Sequence, residues 1–196
     1  MCTTRVKNGN FLPSADSFLY HILMRVQQQP VYALMSGLPG SGKSTLAAEV
    51  KRRNPTIEVI STDIFIEEYA QKHDLTYADA FNTLDFNNVL HKMNVQRERA
   101  FIEGKSIIHD QTNLTRRKRA KVCETIPANY WRTLIFVDTT LDVIEARLKA
   151  RAQATGKVIS TRILQNFMAT MEPPDVDHAE PFQSLYTVDG TTLDFS

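Results

Sequence analysis

The chain has 196 residues, with 23 Lys and Arg against 22 Asp and Glu, and 42% of its residues are hydrophobic. That length suits one domain, and the composition excludes a disordered, fibrous or low-complexity chain. A net charge of +1 excludes a globally basic nucleic-acid binder but leaves room for a local basic patch.

Residues 1–13 read as a tail, with turn chemistry at Lys7-Asn8-Gly9-Asn10. Residues 14–29 predict a helix: Ser14 can cap it, Phe18, Leu19, Ile22, Leu23 and Val26 share a face, and Pro30 ends it. Residues 1–30 are thus expected as a tail and amphipathic helix preceding a domain over 31–196. From residue 31 strands and helices alternate. Strands are expected at 31–35, 57–61, 106–109, 131–138 and 185–188. Helices are expected at 44–53, 64–73, 77–104, 116–125, 141–154 and 160–171, the last stopped by Pro173-Pro174. Short apolar strands alternating with helices indicate an α/β fold, its parallel sheet covered on both faces. The longest apolar runs fall far short of the ~18 residues that cross a bilayer, and no leader peptide is expected. Cys2 and Cys123 have neither disulfide-framework nor metal-site spacing, so both are expected as reduced thiols in a cytoplasmic protein.

The strong signal is Gly37-Leu38-Pro39-Gly40-Ser41-Gly42-Lys43-Ser44, with Thr45 following. It matches G-x-x-x-x-G-K-[ST], lies after a predicted strand and opens a predicted helix, the context expected of a P-loop. Gly37, Gly40 and Gly42 let backbone N–H groups, including that of Ser41, turn inward around a polyphosphate. Lys43 supplies a cation to the β- and γ-phosphates, and the Ser44 hydroxyl ligates Mg²⁺. The pattern therefore predicts a nucleoside triphosphate site, with ATP and Mg²⁺ as its cofactors.

Asp63 falls just past the second strand, where open α/β sheets place their ligands. Its carboxylate suits a general base for phosphoryl transfer, and capping the next helix is the alternative. Asp110 ends the third strand in a similar way and is expected to help hold Mg²⁺ with Ser44. His109 reads as a packed strand residue, and Asn113 or Thr115 as the cap of the following helix. That helix carries Arg116, Arg117, Lys118, Arg119 and Lys121; either this is a solvated face, or Arg116, Arg117 and Arg119 touch acceptor phosphates. Arg147 and Arg151, four apart on one helix, precede Ala154-Thr155-Gly156-Lys157 and suit a lid over the transferring phosphate. Surface pairing with Glu145 is the alternative for them. Val188-Asp189-Gly190-Thr191 echoes an aspartate-phosphatase motif, but Thr187 stands at the nucleophile position, so it reads as a turn.

These residues resemble the kinase domain of phage polynucleotide kinase and its P-loop relatives over about residues 31–174. The resemblance rests on residues 37–45, the Thr62-Asp63 step, Asp110-Gln111-Thr112-Asn113-Leu114-Thr115, and Arg147 to Arg151 leading into Gly156-Lys157-Val158-Ile159. It implies a P-loop NTPase-type parallel sheet with a helical lid, an ATP-dependent phosphotransferase, and an alcohol acceptor on DNA or another nucleic acid. By resemblance, Asp63 is the base, Asp110 the metal-site or acceptor-positioning acid, and an arginine within 147–151 the lid residue. A cytoplasmic location would be that of the host if the chain is phage-encoded. The end-phosphorylating members place an arginine where this chain has Ile66, and the phosphatase half of the phage end-repair enzyme is missing. A related phage group phosphorylates 5-hydroxymethyluracil in DNA, and Ile66 tilts the expectation slightly toward that acceptor over a 5′-hydroxyl end. A small-molecule kinase is the second alternative. The segment 74–94, with Tyr77, Phe81 and Phe86, offers aromatic surface for an unstacked base, or else simply packs as core.

Overall fold

The computed structural model describes residues 15–174 and 180–193, with side chains from Leu19 onward. Helix α1 (Ala15–Val26) leads into strand β1 (Val31–Ser36), and helix α2 (Lys43–Arg53) follows it. Then come β2 (Glu58–Ile60), α3 (Thr62–His73), α4 (Tyr77–Thr83), α5 (Phe86–Ile102) and β3 (Ile107–His109). The chain continues through α6 (Arg116–Cys123), β4 (Trp131–Asp138), α7 (Leu141–Thr155), α8 (Thr161–Thr170) and β5 (Ser184–Asp189).

The strands form one parallel sheet in the order β2-β3-β1-β4-β5, so the strand carrying the Gly-rich loop is central. Ala33 lies opposite Ile108 on one side and Thr133 on the other. All six β1 residues are buried, as a strand covered on both faces requires. Successive side chains alternate between two cores. Val31, Ala33 and Met35 join Leu19, Ile22, Leu46, Val50, Ile135 and Val137. Tyr32 and Leu34 join Ile60, Met93, Ala100, Ile107, Cys123 and Leu134 on the other face. This alternation is the two-residue period of a strand written into one short sequence. Helix α1 belongs to the first core, and Arg25 lies 4.2 Å over the Trp131 ring.

The expected strands and helices appear with end shifts of a few residues and one break. The helix expected over 77–104 divides into α4 and α5, because Asp85 accepts a hydrogen bond from Asn87 N (3.0 Å) and caps a new helix. Two capping expectations are also settled. Ser61, not Asp63, caps α3, accepting from Asp63 N at 3.2 Å. Thr115 caps α6, accepting from Lys118 N, while Asn113 has a left-handed backbone (φ 41°) and donates to Met35 O at 2.8 Å. His109 is a packed strand residue as expected: its Nδ1 lies 2.7 Å from the Tyr32 hydroxyl, and burial pushes the imidazole down to about 4. Cys123 is a buried free thiol, which burial pushes up to about 12. Cys2 and residues 1–13 lie outside the described residues.

Ile66 corrects an expectation. It is 1% exposed, in a small core with Ala70, Ala80 and Val89 that joins α3 to α4 and α5. A side chain packed between helices faces no acceptor, so its difference from arginine says nothing about which acceptor is used. Among the described residues, no helix is long and apolar enough to cross a membrane.

Candidate active site

The loop between β1 and α2 is held from three sides. Gly37 N donates to Thr112 O (3.0 Å), and the Ser36 hydroxyl donates to Asn113 O (3.0 Å), tying the loop to the segment after β3. From the β4 side, the Thr139 hydroxyl donates to Ser41 O at 2.8 Å. Two glycines are required outright. Gly37 has φ 145°, and a Cβ there would stand 2.6 Å from Val137 O; Gly42 caps α2 with φ 102°. Lys43 is buried, its Nζ donating to Leu38 O (2.7 Å) and to the Ser41 hydroxyl (3.3 Å). Burial pushes its ammonium down to about 8, against the attraction of Asp110, and Arg151 pushes the same way as burial. An ammonium whose acceptors among the described residues are a carbonyl and a hydroxyl is poised for an anion.

Asp110 is buried at the end of β3, its N–H donating to Ile60 O at 2.9 Å. Burial raises its carboxyl, and a hydrogen bond with Ser44 and the Lys43 charge oppose that rise. Asp110 and Ser44 thus meet, as the sequence expects of the pair proposed for Mg²⁺. Among the described residues no group of three or more His, Cys, Asp or Glu could cage a metal. The oxygen donors of Ser44 and Asp110 suit Mg²⁺, which takes one or two protein oxygens and completes its shell with water and substrate phosphates. The inward-facing loop, buried Lys43 and helix N-terminus likewise fit a polyphosphate.

Asp63 stands in the first turn of α3, across from this loop, and its charge is felt at Lys43. The Tyr77 hydroxyl donates to Asp63 Oδ1 at 2.7 Å. The Lys157 ammonium is in contact with Asp63 Oδ2 and lies 4.2 Å over the Tyr77 ring. Burial and the Asp63 charge together push the Tyr77 phenol up, so it stays a donor. The sequence offers Tyr77 only as aromatic surface for a base and Lys157 only as part of the lid break, neither as a partner of Asp63. They lie 14 and 94 residues from Asp63, and no local pattern reports such distances; the one hint was the Gly156-Lys157 break.

The two lid arginines separate. Arg147 Nη1 donates to Gly190 O (2.8 Å) and braces the turn after β5 against the loop. Arg151 has its Nε and Nη2 buried without a hydrogen-bond partner among the described residues, and its charge is felt at both Lys43 and Tyr77. Neither pairs with Glu145 in the described contacts. The basic helix is corrected more sharply. Arg119 is 0% exposed and paired with Glu180 through Nε (2.7 Å) and Nη2 (2.5 Å). Its Nη1 also donates to Leu114 O (3.0 Å) and Glu172 O (2.9 Å). A guanidinium so fully occupied touches no acceptor. Arg116 is half-buried, with its backbone N–H on Glu172, and Arg117 is exposed.

The Lys43 loop, the Asp63 carboxylate and Arg151 of α7 are thus among the charged groups gathered at this end of the sheet. Comparison with known proteins agrees at the level of fold. Among solved structures, a chain of the Pnkp1/Rnl/Hen1 RNA repair complex aligns with TM-score 0.59 and 18% identity, over 72% of this chain and 44% of that one. The present chain therefore spans less than half the length of that relative. A putative kinase from Chloroflexus aurantiacus J-10-fl aligns with TM-score 0.57 and 18% identity, over 84% and 87% of the two chains. A gluconokinase from Sinorhizobium meliloti 1021 aligns with TM-score 0.51 and 16% identity, over 84% and 85%. No curated protein matches the sequence. A family model described as an AAA domain matches residues 33–174, from within β1 to just past α8. The chain belongs to this AAA domain family.

Proposed function

We propose that the protein is an ATP-dependent kinase that transfers the γ-phosphoryl group to a hydroxyl carried by nucleic acid. The observation that carries the reading is Asp63, held by Tyr77 and Lys157 opposite the Lys43 loop. Asp63 takes the proton of the acceptor hydroxyl as its oxygen attacks phosphorus, and ADP departs. Lys43 and Arg151 neutralise the charge that spreads over the transferring group, and the loop N–H groups fix its position. Ser44 and Asp110 would hold Mg²⁺, which offsets phosphate charge when bound.

Two features favour a nucleic-acid acceptor. Phe81 and Phe86 are about half exposed on α4 and α5, and Phe81 stacks on Tyr77, the partner of Asp63 (centroids 6.3 Å, 18°). Such faces suit base stacking. The RNA repair complex chain shares the fold, although fold alone does not carry an acceptor. A small-molecule acceptor is the second reading, favoured by the near-neutral charge and by the gluconokinase sharing the fold. The choice between a base hydroxymethyl and a 5′-hydroxyl is left to experiment, because its one ground, Ile66, lies in a core.

The test uses γ-labelled ATP and Mg²⁺ with 5′-hydroxyl DNA, end-blocked DNA containing 5-hydroxymethyluracil, free nucleosides and gluconate. Label on either DNA, abolished by Asp63→Asn without loss of ATP affinity, is the expected result. Label confined to a small molecule selects the second reading, and no transfer to any acceptor rejects the first.

A further inference from the structure

Lys157 is buried, 9% exposed, at the point where the lid returns to the site. Helix α7 ends at Gly156 with left-handed backbone (φ 71°), and a Cβ there would lie 3.3 Å from Thr76 Cβ. Thr76 caps α4, whose first residue is Tyr77. The end of the lid is therefore seated on the same turn that supplies the Asp63 partner. From there the Lys157 ammonium reaches Asp63 and the Tyr77 face, with the Glu67 carboxylate at 3.7 Å.

This is an unusual place for a lysine. Burying an ammonium costs several kcal/mol unless a charge offsets it, and surface lysines do not point inward for a partner they could meet outside. Besides touching Asp63, its charge is felt at Lys43 and at Asp110, so it borders the phosphate region itself. Three cations, Lys43, Arg151 and Lys157, thus converge there with two carboxylates, Asp63 and Asp110. When the triphosphate enters, its charge competes for Lys157 against Asp63, which is itself needed for the acceptor, and against the more distant Glu67.

We propose that Lys157 is an exchange cation: it occupies Asp63 while the phosphate site is empty and moves to the β/γ-phosphates of the bound triphosphate. The move frees Oδ2 of Asp63 for the acceptor hydroxyl, while Tyr77 keeps Oδ1 and holds the carboxylate in place. Base exposure is thereby tied to nucleotide loading through one side chain, with Gly156 as the hinge residue. This inference rests on the phosphate-site reading above and gives Lys157, there only a holder of Asp63, a second partner in the nucleotide.

The test is equilibrium binding of ATP and of AMP to the whole protein and to K157M, K157R and D63N, with the double variant D63N/K157M. Lys157→Met should weaken ATP by ~10-fold or more, as expected for loss of a charge-assisted contact, and leave AMP within ~2-fold. Lys157→Arg should recover most of the ATP affinity. Asp63→Asn should tighten ATP in the parent, since it releases Lys157, and tighten it far less when Lys157 is already methionine. Equal tightening in both backgrounds would mean simple removal of a repelling charge and would overturn the exchange. Unchanged ATP affinity in K157M, or equal weakening for ATP and AMP, would do the same. If K157M fails to fold, K157Q carries the same comparison. Lys43→Ala separates the two levels: ATP affinity unchanged by that variant rejects the phosphate site itself, whereas loss there with none in K157M rejects only the exchange.

Discussion

Helices α6 and α7 both line the site end of the sheet, and both are rich in arginine, yet the sheet uses them oppositely. On α6, Arg119 has every donor direction filled by Glu180 and by carbonyls of the loop and the C-terminal segment. On α7, Arg151 keeps two buried nitrogens without a hydrogen-bond partner among the described residues. One guanidinium is mortar between segments; the other keeps donors that a ligand can fill. Charge density along a sequence does not distinguish these cases. What does is whether each buried donor is already satisfied, because a satisfied donor has nothing left to offer a ligand.

The largest effect should come from the satisfied side. Arg119→Met leaves Glu180, whose side chain is 11% exposed, without its bidentate partner. Breaking one half of such a buried pair costs about 3–5 kcal/mol. Urea unfolding should register that loss, and a double variant with Glu180→Gln should lose less than the two single losses summed. Transfer measured well below the new unfolding temperature should be close to normal. Intact stability would mean that Arg119 is not the brace it looks to be.

Arg151→Met should show the converse. Phosphoryl transfer is expected to fall by ~100-fold, about 2.7 kcal/mol, because a preorganised cation on the transferring group is gone. Stability should hold or rise slightly, since two buried nitrogens without a hydrogen-bond partner among the described residues have been removed. A stability loss with turnover kept would exchange the roles assigned to the two helices.

The same contrast explains what the sequence discloses and what it hides. The P-loop was legible because its chemistry is local: three glycines, a lysine and a hydroxyl within eight residues, after one strand and before one helix. The five strands were legible because their apolar runs are continuous, and β4 was bounded to the residue. Asp63 and Asp110 followed from topology, as strand ends beside the loop. The rest depends on contacts across long separations. Tyr77 and Lys157 converge on Asp63 from different elements, and Glu180 meets Arg119 from 61 residues away. Ile66 misled for the same reason: a position aligned in sequence with a functional arginine packs here into the α3–α4–α5 core.

Arg147 sharpens the comparison from within α7. It sits one turn before Arg151 on the same face, but it braces Gly190 O. Gly190 is packed so closely that a Cβ would stand 2.2 Å from Ser41 O. Arg147→Met should therefore loosen the loop rather than strip the transition state. A rise of ~3–10-fold in the KM for ATP with kcat lowered less is the expected pattern, as for lost uniform binding. A kcat loss matching that of Arg151→Met would place both arginines on the phosphate.

The smallest effect concerns what remains exposed on α6. With Arg119 removed from consideration, Arg117 and Lys121 are the exposed arginine and the last-turn lysine left to meet an acceptor. Both can reach phosphate only through flexible, solvated side chains, where each contact is weak and strongly screened. Their contribution should appear mainly in the dependence of affinity on salt. If they touch a nucleic acid, Arg117→Gln with Lys121→Gln should flatten the slope of log K against log salt by up to ~0.9 per lost contact on duplex, or ~0.7 on single strand. ATP affinity should stay the same, because neither residue has a described contact with the Lys43 loop. An unchanged slope, with binding retained, would make this face ordinary solvated surface and move the acceptor track to the Phe81 and Phe86 side of Asp63, where stacking rather than charge would hold the strand.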